Sequence, residues 1–199
     1  MNRLTCDIHH RCAESLHQEL FGMAIPQRRS SPGCIVTELR TFFVTSSIAG
    51  KRNLLQSHPS AQLFVNLLYH YRSQRKYLLH AFVIMPDHFH LLITVGRQIS
   101  IERAVQFIKG GFAFRAGREL EFRSPVWKRG FSESRVYDFK GAEAARAYIE
   151  ENPVKRRLCL SAAEYPYSSA NHLYELDDVP QGLKPRETRS SIGTTEVMP

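Results

Sequence analysis

The segment Phe82–Val95 reads FVIMPDHFHLLITV, two apolar runs separated by a Pro-Asp turn. Runs of this length and composition predict two strands joined as an antiparallel hairpin. Side chains alternate between the two faces of a strand, so His88 and His90 project from one face and Phe89 and Leu91 from the other. Two imidazoles side by side on a rigid strand are half of a divalent metal site.

The sequence around this hairpin predicts the remaining elements. The segment 35–48 is rich in β-branched and aromatic residues and predicts a first strand. Helical periodicity predicts a helix after residue 60, a second from residue 100 and a third over 142–151, ended by Pro153. A further strand is predicted within 126–136. The order β-α-β-β-α-β-α predicts an α+β fold, a ferredoxin-like antiparallel sheet with helices mainly on one face.

The domain organisation follows from where the apolar patterning begins and ends. Residues 1–31 lack a sustained apolar period and are expected to be a leader of uncertain order. Residues 32–174 are expected to form one catalytic domain, which holds the candidate catalytic residues. Residues 175–199 are polar and are expected to be a disordered tail.

The composition favours a polyanionic partner. The chain of 199 residues has 27 Lys and Arg against 19 Asp and Glu, a formal net charge of +8. Nucleic acid is the first interpretation and an anionic membrane a distant second. No apolar run approaches the length of a transmembrane helix. The four cysteines lack a paired spacing, which predicts reduced thiols in the cytoplasm, although Cys6 and Cys12 with the two histidines between them are a weak alternative zinc site.

A His-x-His pair has two interpretations. The histidines of a hairpin can simply occupy solvated or hydrogen-bonded positions. As a metal site, the pair needs one more protein ligand, and Asn152 is the best candidate because its amide oxygen suits Mg²⁺ or Mn²⁺. The alternative for Asn152 is a turn-forming residue that ends a helix before Pro153.

Tyr148 precedes Asn152 by four residues, so the two side chains share a helix face. A tyrosine among apolar helix residues is commonly a core residue with its hydroxyl at the edge. As a nucleophile it needs help, because a phenol of pKa about 10 is mostly protonated at neutral pH. A metal that polarises a phosphate would supply that help. One helix would then deliver the nucleophile and complete the metal site.

Three motifs together resemble a known family. They are MPDHFH at Met85–His90, VWKRGF at Val126–Phe131 and YIEENPVK at Tyr148–Lys155. In order and spacing they resemble the REP-associated tyrosine transposases, which are HUH single-tyrosine transposases of the IS200-like superfamily. The resemblance runs from about residue 28 to about residue 169.

The resemblance implies roles for the residues singled out above. His88 and His90 would be the metal histidines, Tyr148 the nucleophile and Asn152 the polar ligand. The family cuts single-stranded DNA next to hairpins, forming a 5′-phosphotyrosine and releasing a 3′-hydroxyl. In one respect the chain departs from the family: many members have Glu-His where this chain has Glu133 followed by Ser134.

The basic residues predict that the protein binds single-stranded DNA with hairpin elements. The protein is expected to do so as a monomer or as a homodimer. Lys and Arg neutralise phosphates, and aromatic side chains stack on bases. Any single basic cluster could instead be a solvated face, and the tryptophan could be a core residue. The predicted DNA-binding residues are Arg28, Arg29, Lys128, Arg129, Arg135, Lys155, Arg156, Arg157 and Trp127.

The sequence thus predicts a metal-dependent endonuclease and strand transferase acting on single-stranded DNA, with Mg²⁺ or Mn²⁺ as cofactor. A second interpretation is a domesticated module that binds structured single-stranded DNA with little or no cleavage, which Ser134 keeps open. A third, a metallo-hydrolase of small molecules, explains the histidine pair but neither the charge nor the tyrosine helix.

Overall fold

The structure is a computed structural model that describes residues 39–180. The predicted leader, including Arg28, Arg29 and the possible zinc cluster near Cys6, lies outside the described residues, as does the predicted tail beyond residue 180. Within residues 39–180, no helix is both long and apolar enough to cross a membrane.

Four antiparallel strands form one sheet in the order β2-β3-β1-β4. This order, with helices after the first, third and fourth strands, confirms the predicted ferredoxin-like α+β fold. The strands are β1 (Arg40–Ser47), β2 (Leu78–Ile84), β3 (His88–Val95) and β4 (Ser132–Val136), and the helices are α1 (His58–Ser73), α2 (Ile101–Glu119) and α3 (Phe139–Lys155).

The two faces of the sheet carry different cores. Phe42 of β1 and Phe89 of β3 point to the face covered by α1 and α2, the larger cluster. Phe43, the next residue of β1, points to the opposite face, where α3 packs with Tyr148. Helices lie mainly on one face, as predicted, and the third helix alone covers the face to which the two histidines belong.

Helix α3 runs two residues past Pro153, where the sequence predicted its end. Pro153 is buried and lies in the last turn, where its missing N–H removes a single intrahelical hydrogen bond. The turn still closes, because the Arg156 N–H donates to the Asn152 carbonyl at 3.0 Å. Asn152 therefore remains helical, one turn after Tyr148.

The predicted strand over 126–136 is shorter than expected. Only Ser132–Val136 forms β4, and Trp127 makes an isolated antiparallel bridge to Ile48 just beyond β1. Between them the chain loops out at Gly130, whose φ of +74° lies in the left-handed region that glycine tolerates best.

After α3 the chain returns along the outer edge of β2. The Ser169 N–H donates to the Phe82 carbonyl at 2.8 Å, and the Asp177 N–H donates to the Leu79 carbonyl at 2.8 Å. This segment covers backbone groups that an open edge strand would expose. The predicted tail began at residue 175, and the contacts to the sheet continue to Asp177, so the first residues of that range belong to the fold.

Asp177 joins the returning segment to two elements, α1 and β2. Its carboxylate accepts two hydrogen bonds from Arg72 of α1, each 2.8 Å, and one from the Leu79 N–H at 2.8 Å. Its carbonyl lies 2.9 Å from Nδ1 of the buried His80. The hydrogen bond from Arg72 holds the pKa of the Asp177 carboxyl below its ordinary value.

We predict that Asp177→Ala lowers the free energy of unfolding by about 1–3 kcal/mol at pH 7, because a bidentate charged pair is lost and a β2 N–H loses its acceptor. Since the pKa of Asp177 is lowered in the folded state, its contribution is present above the ordinary aspartate pKa and disappears as the pH falls through the folded-state value. Urea denaturation at pH 7 and at about pH 3 measures both effects.

The matched control is Asp178→Ala, which removes an adjacent exposed carboxylate. Surface substitutions of this kind change stability by about 0.5 kcal/mol or less. Equal losses in the two variants at pH 7 would contradict a specific role for Asp177.

Candidate active site

His88 and His90 lie at the start of β3 and share one face of the strand, as the alternation predicted. That face is the one covered by α3. The two rings are 4.8 Å apart between centroids, with an angle of 79° between their planes. Only 7% of His88 and 5% of His90 is exposed. A buried polar ring has to be hydrogen-bonded or ligated, because burial without a partner is costly.

Both rings are anchored through Nδ1. His88 Nδ1 lies 2.6 Å from Asp87 Oδ1, and His90 Nδ1 lies 2.7 Å from Thr45 Oγ1. Thr45 is the direct partner of His90 in the pairing of β1 with β3. Metal-binding histidines are commonly held in this way, with one nitrogen on a protein acceptor and the other presented to the ion. The hydrogen bond to His88 is also the main reason that the pKa of Asp87 lies below its ordinary value.

Tyr148 packs directly against this pair. Its ring centroid lies 5.3 Å from that of His90 and 5.7 Å from that of Phe43. The Phe43 ring in turn stacks on His90 at 5.4 Å, with an angle of 16° between the planes. The structure therefore brings the predicted nucleophile and the predicted metal histidines together within one chain.

The surroundings of Tyr148 affect its pKa in opposite directions. Burial raises the pKa of the phenol, and the nearby Arg156 charge and a hydrogen bond with the Asn152 side chain lower it. Burial is the larger effect, so the pKa lies above the ordinary value and the phenol is protonated at neutral pH. The Lys155 ammonium lies 5.5 Å from the ring centroid and adds positive charge beside it.

Asn152 carries an unsatisfied oxygen. Only 6% of the residue is exposed, and its Oδ1 is buried with no hydrogen-bond partner among residues 39–180. Buried acceptors are nearly always paired, so such an atom needs an explanation, and a bound ion is one. Asn152 lies one helical turn after Tyr148, whose ring packs on His90. A neutral oxygen donor combined with two imidazoles suits a divalent cation of the Mg²⁺ or Mn²⁺ type.

No cluster of three or more His, Cys, Asp or Glu side chains suited to a metal occurs within residues 39–180. The buried side chains that could hold an ion are those of His88, His90 and Asn152, the last through its unpaired oxygen. The Asn152 oxygen, buried without a hydrogen-bond partner in the described residues, is the observation that indicates that these side chains suit a divalent cation.

The predicted DNA-binding residues are placed in different regions. Lys155 and Arg156 flank Tyr148, and the backbone of Lys128 lies beside the end of β1. Arg129 and Arg157 are exposed. Arg135 pairs with Phe42 across β4 and β1, which puts it on the face opposite the histidines.

Trp127 makes the contacts of a core residue. Its ring packs against Phe64, Phe89 and Phe112 at centroid distances of 5.4 to 5.7 Å. Its indole N–H donates to the Lys109 carbonyl at 2.8 Å. Trp127 is only partly buried, so the base-stacking role that the sequence suggested for it stays a prediction, beside the contacts that make it part of the core.

Sequence reasoning missed three residues of the site, Asp87, Thr45 and Phe43. Asp87 stands next to His88 in the chain, and that adjacency was the available signal. The other two are more than 40 residues away from the histidines, and only the pairing of β1 with β3 brings them there. Ser134, the departure noted in the sequence, pairs with Phe43 and so lies on the histidine face of the sheet.

Comparisons with known proteins identify a family and structures of similar fold. The sequence profile described as "Transposase IS200 like" matches residues 40–152. The solved structure of a REP-associated tyrosine transposase bound to a REP hairpin is similar, with a TM-score of 0.60 and 22% identity over 79% of this chain and 92% of that chain. A candidate transposase from Deinococcus radiodurans R1 has a TM-score of 0.46 and 21% identity over 62% of this chain and 97% of that chain. No curated protein sequence matches the chain.

The matched segment begins at the first residue of β1 and ends at Asn152. It therefore contains the histidine pair, the tyrosine and the amide that the fold assembles, and it spans more than half of the sequence. On this match the chain belongs to the IS200-like transposase family, a family of DNA transposases.

Proposed function

We propose that this transposase is a metal-dependent endonuclease and strand transferase that cleaves single-stranded DNA near hairpins. In this proposal the Tyr148 phenol oxygen attacks a phosphodiester, and the P–O3′ bond breaks. A 5′-phosphotyrosine forms and a 3′-hydroxyl is released, so the bond energy is conserved for rejoining. The packing of Tyr148 against His90 at 5.3 Å is the observation that carries the proposal.

His88, His90 and Asn152 would hold the Mg²⁺ or Mn²⁺ ion. When bound, the ion would act as a Lewis acid toward the oxygens of the scissile phosphate. Asp87 and Thr45 fix the orientation of the imidazoles, and the burial of both rings excludes water from them. The unpaired Asn152 oxygen supports this ligand set.

Tyr148 needs activation, because burial raises its pKa. Arg156 and Asn152 act in the opposite direction, and both lie on or just after the helix that carries the nucleophile. The positive charges of Lys155 and Arg156 would stabilise a phenolate and attract the phosphate. Because all the residues proposed for this site lie on one chain, a monomer would suffice for cleavage in this proposal.

The proposed partner is single-stranded DNA with hairpin elements. The similar transposase structure is bound to a REP hairpin, and the present chain carries a net charge of +8. Lys128, Arg129, Lys155, Arg156 and Arg157 are the basic residues proposed for this contact, and exposed Lys and Arg would bind the DNA backbone without reading bases.

A binding module with little cleavage is the second candidate, and Ser134 is the observation that favours it. Ser134 lies beside Phe43, on the same face as the histidine pair. Hairpin binding that weakens with salt, with no covalent adduct under Mg²⁺ or Mn²⁺, would support this candidate over the nuclease.

We predict that wild-type protein incubated with single-stranded hairpin DNA and Mn²⁺ forms a covalent protein–DNA adduct, and that Tyr148→Phe abolishes it. The substitution removes only the nucleophilic oxygen and keeps the ring that packs on His90. Denaturing gel electrophoresis with labelled DNA detects the adduct.

Tyr137→Phe is the matched control, because Tyr137 is an exposed tyrosine at the start of the α3 segment. It should leave the adduct unchanged. An adduct of normal yield in Tyr148→Phe would remove Tyr148 from the mechanism.

We predict that Asn152→Ala weakens Mn²⁺ binding by about tenfold or more, because the ion loses a ligand oxygen. Asn152→Asp, which keeps an oxygen at the same place, should bind Mn²⁺ at least as well as the wild type. Calorimetric titration of Mn²⁺ without DNA measures this. The control is Asn66→Ala, an exposed amide on α1; the proposed ligand set is wrong if the Ala variants at 152 and 66 bind Mn²⁺ equally.

We also predict that Asp87→Ala weakens Mn²⁺ binding by roughly 10–100-fold, since His88 loses the acceptor that orients its ring. Asp87→Asn keeps an oxygen acceptor and should retain more affinity than Asp87→Ala. The titration just described compares the two. Identical losses would show that the acceptor oxygen is not what matters at this position.

A further inference from the structure

Lys128 and the histidine pair lie on opposite sides of the end of β1, each paired with that strand. Ser47 pairs with His88 in the register of β1 and β3. At the edge of β1 that faces away from β3, Ile48, the residue after Ser47, forms an antiparallel bridge with Trp127. The N–H of the next residue, Lys128, donates to the Ser47 carbonyl at 2.9 Å. Lys128 is therefore directly opposite Ser47, and His88, Ser47 and Lys128 form a row across the sheet.

The three residues of this row share one face. Residues directly opposite each other in an antiparallel pair project to the same side. Ile48 and Trp127 both pack into the core under α1 and α2. Their neighbours Ser47 and Lys128 therefore project to the opposite side, the side of α3 and the histidines.

The backbone at Lys128 is held in place, and its side chain is exposed. The Lys109 ammonium donates to the carbonyls of Lys128, at 3.1 Å, and Gly130. The Trp127 indole, anchored in the core, donates back to the Lys109 carbonyl. Within residues 39–180 the Lys128 ammonium makes no hydrogen bond or ion pair of its own, so its charge is available to a ligand.

The distances allow a shared phosphate. Neighbouring strands are about 4.8 Å apart, so the β-carbons of Lys128 and His88 lie roughly 10 Å from each other. A lysine ammonium on its flexible four-carbon stem spans about 6 Å of that gap. A phosphate held at the His88 and His90 rings is then within reach of the Lys128 ammonium.

We propose that Lys128 is a catalytic residue that binds a non-bridging oxygen of the scissile phosphate. This rests on the proposed function and goes beyond a general contact with the DNA backbone. As the bond from Tyr148 to phosphorus forms and the P–O3′ bond breaks, negative charge on the non-bridging oxygens is stabilised by the ammonium. The phenol loses its proton, and the departing 3′ oxygen ends as a hydroxyl.

The test compares Lys128→Gln with Lys140→Gln, which removes an equal charge from an exposed position in the first turn of α3. Adduct formation is followed in single turnover with saturating hairpin DNA and Mn²⁺, and affinity is measured separately by fluorescence anisotropy. Lys128→Gln should lower the rate by about 10²–10³-fold, the usual effect of losing one donor to a developing oxyanion. Its Kd for DNA should change by only a few-fold, and Lys128→Arg should restore part of the rate.

Lys140→Gln should match the wild type in both measurements. The proposal is overturned if Lys128→Gln reacts within about twofold of the wild-type rate, or if weaker DNA binding accounts for its whole defect. Absence of an adduct with wild-type protein would instead remove the proposed nuclease function, and this role of Lys128 with it.

Discussion

The site depends on the way in which successive side chains of β3 alternate between the two faces of the sheet. Phe89 and its i+2 neighbours pack into the cluster under α1 and α2, so His88 and His90, which alternate with them along the strand, have to face α3. A shift of one residue in register would bury the imidazoles among phenylalanines and expose apolar side chains to α3. The larger core therefore holds His88 and His90 in place, although neither histidine belongs to it.

The same face holds groups whose burial is unfavourable by itself. Tyr148 is desolvated to the point that its pKa rises, and Asn152 keeps a buried oxygen without a partner in the described part of the chain. Both lie on the helix that covers the histidines, with Lys155 and Arg156 at its end. A bound ion would give the Asn152 oxygen a partner, and a phosphate would react with the Tyr148 phenol. Groups whose burial is unfavourable in the absence of a ligand are typical of a catalytic site.

Two segments that are distant from the histidine pair in sequence support the site, one at the outer edge of β2 and one at the end of β1. The segment after α3 closes the edge of β2 through Asp177, and the Trp127 segment adds one short bridge beyond β1. The first supports the hairpin that carries the histidines. The second explains why Trp127 packs against the core while its neighbour Lys128 is exposed on the opposite side.

Local pattern alone determined the hairpin, the orientation of the histidine pair and the shared helix face of Tyr148 and Asn152, because these follow from periods of two and of about four residues. Local pattern placed the end of α3 at Pro153, but the helix continues for two more residues. A proline in the last turn costs only one hydrogen bond, and the packing of the helix outweighs that loss. Only the tertiary structure decided that Thr45 and Phe43 join the histidines and that Arg135 does not. Those contacts depend on the register between strands distant in sequence, which is set by how all the apolar side chains pack together.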